Sequence, residues 1–127
     1  SPRQQMVPSP RWIGLMANKN YVRGYQLEAE TVKHWEALGL ECSRVVGSGK
    51  FKRYGKQYAG DLMLAGFSVE AKRKKSGFKF LRKSLAQDDC DMLVIREDAQ
   101  PGEKIERLYV MPEKTVEAIF RQLGLIK

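Results

Sequence analysis

Histidine is almost absent from this 127-residue chain, where His34 stands alone, and cysteine is limited to Cys42 and Cys90. Neither thiol belongs to a Cys-x-x-Cys pair or lies beside a second ligand-type residue, so a zinc site of Cys and His is all but excluded. A Ser-His-Asp or Cys-His mechanism would have to use His34, which falls on the expected solvent side of a helix. Both cysteines are expected to be reduced, packed side chains, as suits a cytoplasmic chain. Long apolar runs are also missing, and none approaches the roughly 20 residues of a transmembrane helix. No signal-peptide pattern opens the chain, and no repeat or low-complexity tract interrupts it. These absences lead to the expectation of a soluble, cytoplasmic protein with no membrane partner and no small-molecule cofactor.

Positive charge is what the chain has in excess. Lys and Arg number 23 against 15 Asp and Glu, giving a net charge of +8 and a pI near 9.6. Such a field attracts polyanions and accelerates encounters with them, so nucleic acid is the leading partner and an acidic membrane surface the second. The basic residues do not share a long helix with a large apolar face, which argues against the membrane surface. The length suits one domain, able to bury roughly two thirds of its unfolded surface. Residues 1–20 carry Pro2, Pro8 and Pro10 without a sustained period and read as a loosely ordered arm; residues 21–127 read as a single domain.

Within that domain the first expected helix covers about residues 24–38 and stops at Gly39. Glu28, Val32, Trp35 and Gly39 recur at helical spacing, which places Glu28 at the head of the apolar face, whereas Glu30 shares a solvated side with Lys33 and His34. A strand is expected over residues 41–46, then a basic loop and a hairpin over residues 58–72. Phe78, Leu81 and Leu85 mark an amphipathic helix over residues 77–87. A buried strand over residues 92–96, a Pro101-Gly102 turn and a strand over residues 105–110 follow. Pro112 opens a last helix with Val116, Ile119, Phe120 and Leu123 on one apolar face. The expected order is α-β-β-β-α-β-β-α, an α/β (α+β) arrangement.

The hairpin carries the chemistry. A two-residue turn at Ala65-Gly66 sets Leu64 against Phe67 and Leu62 against Val69, and so Asp61 against Glu70. Two acids across a ladder lie about 4.5–5.5 Å apart at Cβ, a repulsive pairing unless a cation sits between them. A hard divalent ion suits that place, and Lys72 projects from the same strand face as Glu70. Two carboxylates, a lysine and Mg²⁺ or Mn²⁺ are suited to phosphodiester hydrolysis, with Glu28 reaching the site from the helix.

Basic segments flank this cluster. Lys50, Lys52, Arg53 and Lys56 fill the preceding loop, and Lys72, Arg73, Lys74, Lys75, Lys79, Arg82 and Lys83 follow. Each phosphate they neutralise on duplex DNA contributes about −0.9 to the slope of log affinity against log salt. Phe51, Tyr54, Tyr58 and Phe78 lie among the cations and offer faces for unpaired bases, although core packing is the expectation for Phe78.

The pattern Arg23-Gly24-x-x-x-Glu28, Gly47-Ser48-Gly49, Gly60-Asp61, Glu70-Ala71-Lys72 and a later Gln87 resembles the PD-(D/E)XK nuclease superfamily. Within it the chain is most similar to the archaeal-type Holliday-junction resolvases and their phage-encoded relatives, over roughly residues 22–96. The resemblance implies a restriction-endonuclease-like mixed central sheet flanked by helices, with Asp61, Glu70 and the Ala71 carbonyl as metal ligands. It further implies that Glu28 supports the metal, Lys72 is the catalytic lysine, Ser48 lies near the cleaved strand and Gln87 helps to orient the site. Arg23 belongs to the DNA-binding set. Such enzymes serve DNA recombination and repair as homodimers, nicking opposite strands of a four-way junction symmetrically; a phage-encoded member works in the host cytoplasm. Gly60 departs from the family's proline, and the N-terminal arm has no counterpart. The alternatives are a nuclease of the same superfamily acting on other DNA, of repair, recombination or restriction type, and a non-catalytic basic DNA-binding module.

Overall fold

The structure is a computed structural model that describes residues 19–45 and 61–127. Its class is mixed α+β. In chain order the described elements are α1 (Lys19–Ala37), β1 (Cys42–Arg44), β2 (Leu62–Leu64), β3 (Phe67–Val69), α2 (Lys79–Gln87), β4 (Leu93–Ile95), β5 (Leu108–Val110) and α3 (Glu113–Gln122). They fall into two compact units, Ser1–Arg73 and Lys74–Lys127. Among the described residues, no helix is long and apolar enough to cross a membrane.

In the first unit, α1 begins earlier than the apolar stripe indicates, at Lys19, because Lys19–Arg23 contains no helix breaker. It ends where expected. Gly39 takes a left-handed φ of 82°, and the Gly39 and Leu40 amides donate back to the Glu36 and Trp35 carbonyls at 3.0 Å each. This reversal satisfies the last carbonyls of the helix and turns Leu40 into the core. Val32, Trp35, Leu40, Cys42, Leu62 and Leu64 are buried, and α1 packs on β1 and β2 through this set. His34 is half-buried, with its ring edge-on to Trp35 at 4.9 Å between centroids.

The sheet of this unit is antiparallel, in the order β1-β2-β3. Leu62 pairs with Val69 and Leu64 with Phe67, the register that a two-residue turn dictates. Ala65 and Gly66 both have positive φ, 50° and 86°, which gives the turn the twist that matches its strands. On the other side, Cys42 faces Leu64 and Arg44 faces Leu62.

In the second unit, β4 and β5 pair antiparallel with each other, Leu93 against Val110 and Ile95 against Leu108. The described strands therefore form a three-stranded and a two-stranded ladder, each pairing neighbours in chain order, where the family resemblance implies one mixed sheet. The Pro101-Gly102 turn is closed by the Glu103 amide on the Gln100 carbonyl at 2.9 Å. Thr115, at the first turn of α3, is buried and donates from Oγ1 to the Asp91 carbonyl at 2.7 Å.

Four packing expectations are corrected here. The strand at residues 92–96 is not of buried type: Leu93 and Ile95 are half-buried but Met92 and Val94 are exposed, the alternation of a strand covered on one face only. Phe78 is exposed because it sits at the entry to α2 rather than along its inner face. Leu123 is exposed, as the chain reverses at Gly124 and Ile126 is buried in its stead. Cys42 is buried as expected, but Cys90 is exposed just beyond the end of α2; neither takes part in a disulfide.

Candidate active site

Asp61 lies immediately before β2, and its surroundings are built by main-chain geometry. Its amide donates to the Val69 carbonyl at 2.8 Å, although Val69 already faces Leu62. Asp61 and Leu62 thus both oppose Val69, the arrangement of a β-bulge. The expectation that Asp61 stands squarely opposite Glu70 is corrected accordingly. The bulge instead re-aims the Asp61 side chain along the partner strand, where Oδ2 accepts from the Ala71 amide at 2.9 Å. On the β1 side, the Val45 amide donates to the Asp61 carbonyl at 2.9 Å.

Asp61 is half-buried, Glu70 exposed and Ala71 half-buried. The Lys72 ammonium stands 3.6 Å from Glu70 Oε1, with both side chains largely in solvent, so this contact contributes little to stability. A bound Asp61 carboxylate, an open Glu70 and the Ala71 main chain form a set of hard oxygen donors, the chemistry that Mg²⁺ and Mn²⁺ require.

Glu28 projects from the half-buried side of α1, beside Val32 and Trp35, while Glu30 is exposed on the other side. Its Oε1 accepts from Arg44 Nε at 2.8 Å. Arg44 also lies over the Tyr25 ring, 4.4 Å from its centroid. Because Arg44 is paired with Leu62 and precedes Val45, this ion pair connects the helical acid to the strand segment that braces Asp61. Arg73, exposed just after Lys72, donates from Nη1 to Gln26 Oε1 at 2.8 Å and fastens the outgoing strand to α1. Glu28 on α1 and Asp61, Glu70, Ala71 and Lys72 on and beside the hairpin all belong to the first unit, with Arg23 half-buried on the same helix as Glu28.

The basic residues divide. Ser48, Lys50, Lys52, Arg53 and Lys56 lie outside the described residues, as do Phe51, Tyr54 and Tyr58. Lys74, Lys75, Lys79, Arg82 and Lys83 are all exposed in the second unit. Lys79, Arg82 and Lys83 are spaced to lie on one face of α2. Lys74 approaches the Phe78 ring, with Nζ 5.9 Å from its centroid. Gln87 is exposed at the last position of α2.

Arg44, Tyr25 and Gln26 were not singled out by sequence reasoning. A signal for Arg44 was nevertheless present. It is two residues from Cys42 on a strand, hence on the same inward face, and a charged side chain aimed inward requires a partner. No family model, curated protein or solved structure matches the chain.

Proposed function

We propose that the chain is a metal-dependent DNA endonuclease with a restriction-endonuclease-like fold, acting on four-way junctions. The observation that carries the proposal is the Asp61 Oδ2 bond to the Ala71 amide, which holds one acid against the strand stretch that presents Glu70 and Lys72. In this account Asp61, Glu70 and the Ala71 carbonyl bind Mg²⁺, for which Mn²⁺ substitutes, and Glu28 supports the site. When bound, the ion supplies a Lewis acid and an acidified water for phosphodiester hydrolysis.

The chain's own residues do the rest. Lys72 orients the nucleophile and offsets charge that develops on the scissile phosphate. Its exposure leaves the ammonium accessible to a substrate that approaches from solvent. Exposed cations at Lys74, Lys75, Lys79, Arg82 and Lys83 neutralise backbone phosphates, and the net charge of +8 draws the polyanion in. A homodimer supplies two sites for paired nicks.

Incubation of a labelled four-way junction with the protein, with Mg²⁺ or with chelator, tests the proposal. Cleavage is expected with Mg²⁺ alone. Binding without cleavage under any divalent ion would transfer the chain to the class of non-catalytic basic modules.

A further inference from the structure

The Arg44 guanidinium is held from two directions. Nε donates to Glu28 Oε1 at 2.8 Å, and Cζ lies 4.4 Å from the centre of the Tyr25 ring. Tyr25 and Glu28 are three residues apart on α1, so they are neighbours on its surface, and Arg44 reaches both from the end of β1. The Arg44 and Glu28 side chains are only 18% and 16% exposed. Stacking on an aromatic face fixes the plane of a guanidinium, and a fixed guanidinium in turn fixes the carboxylate it binds.

Stability alone is a weak reason for this arrangement. Enclosing an ion pair has a desolvation penalty that often equals its attraction, and apolar residues of similar volume would join α1 to β1 as well. What the pair adds is a defined place for one carboxylate. It also adds a main-chain connection, because the Val45 amide next to Arg44 donates to the Asp61 carbonyl at 2.9 Å. The end of β1 thereby sets the helical acid and braces the hairpin acid together.

We infer that Arg44 is a positioning residue for the metal site, acting through Glu28 and itself held by the Tyr25 ring. The inference rests on the nuclease proposal above and adds to it a residue of β1 that has no contact with substrate or ion. Glu28 Oε1 is committed to Arg44.

The test is Mn²⁺ binding to the full chain without DNA, followed by electron paramagnetic resonance, for wild type, R44Q, R44K, E28Q, the E28Q/R44Q double variant and Y25L. Thermal unfolding is recorded for each. Loss of an outer partner typically weakens metal affinity about 10- to 100-fold, so R44Q is expected to raise the half-saturating Mn²⁺ concentration about tenfold. R44K is expected to fall between R44Q and wild type. The double variant should bind no more weakly than E28Q, because residues that act through one another are not additive. Y25L should shift the midpoint in the same direction by a few fold, and it carries the test should R44Q fail to fold.

An unchanged midpoint in R44Q and Y25L, with or without a lower melting temperature, would make the pair a helix-to-sheet clamp and overturn the inference while leaving the nuclease proposal standing. Additive losses in the double variant would do the same. A wild-type chain that binds no Mn²⁺ would instead remove the proposed metal site, and the role of Arg44 with it.

Discussion

The Asp61 carboxylate accepts a hydrogen bond from the Ala71 main-chain amide at 2.9 Å, across a bulge that sets Asp61 and Leu62 against one partner residue. Asp61 thus has a structural role beside the chemical one proposed for it, and the two are separable. D61A is expected to lose about 1–2 kcal/mol of stability, since it removes a charged acceptor and leaves a half-buried amide unsatisfied. D61N keeps an oxygen for Ala71 and should lose less, yet both variants should lose metal-dependent cleavage. Urea denaturation and a cleavage assay on the same preparations separate the effects.

Lys72 presents the opposite case. Its side chain is 73% exposed and its distance to Glu70 is 3.6 Å, so K72A should change stability by no more than about 0.5 kcal/mol. Loss of a charge that stabilises the transition state should nonetheless lower the cleavage rate by about 10²- to 10³-fold, with DNA affinity largely retained. Near-normal turnover in K72A would remove this lysine from the proposed mechanism.

The exposed face of α2 predicts a salt signature. If Lys79, Arg82 and Lys83 each contact a phosphate of duplex DNA, alanine at each should reduce the slope of log affinity against log salt by about 0.9. Affinity measured across a salt series for the three single variants and the triple variant checks this. A slope that does not move would place the phosphate contacts elsewhere on the chain.

Asp89 occupies the left-handed position just past α2, with φ of 49°, where the other two described helices have Gly39 and Gly124. A residue with a Cβ is strained there, although Asp is among those that tolerate it best. D89G is expected to stabilise the fold by about 0.5 kcal/mol, read as a small rise in denaturation midpoint without a change in the slope of the transition.

The hairpin was legible in the sequence because its period of two and the Ala65-Gly66 step leave one register that buries Leu62 and Leu64. The inward side of α1 was legible for the same kind of reason, in the spacing of Glu28, Val32 and Trp35. The bulge at Asp61 was not, since an extra residue in a ladder leaves the alternation of its neighbours intact until the hydrogen bonds are seen. Nor did the pattern distinguish Leu123 from Ile126 for the inner position, a choice made by the chain reversal at Gly124. The Arg44 to Glu28 pair joins positions far apart in sequence, and no local periodicity records which acid a strand arginine will meet.

The most direct test of the account is to map cleavage on a labelled four-way junction and a matched linear duplex in Mg²⁺, with D61A as the control. Paired, symmetric nicks in the junction alone, absent from D61A and from reactions with chelator, are predicted. Equal cutting of junction and duplex would contradict the junction assignment, and undiminished cutting by D61A would contradict the active site itself.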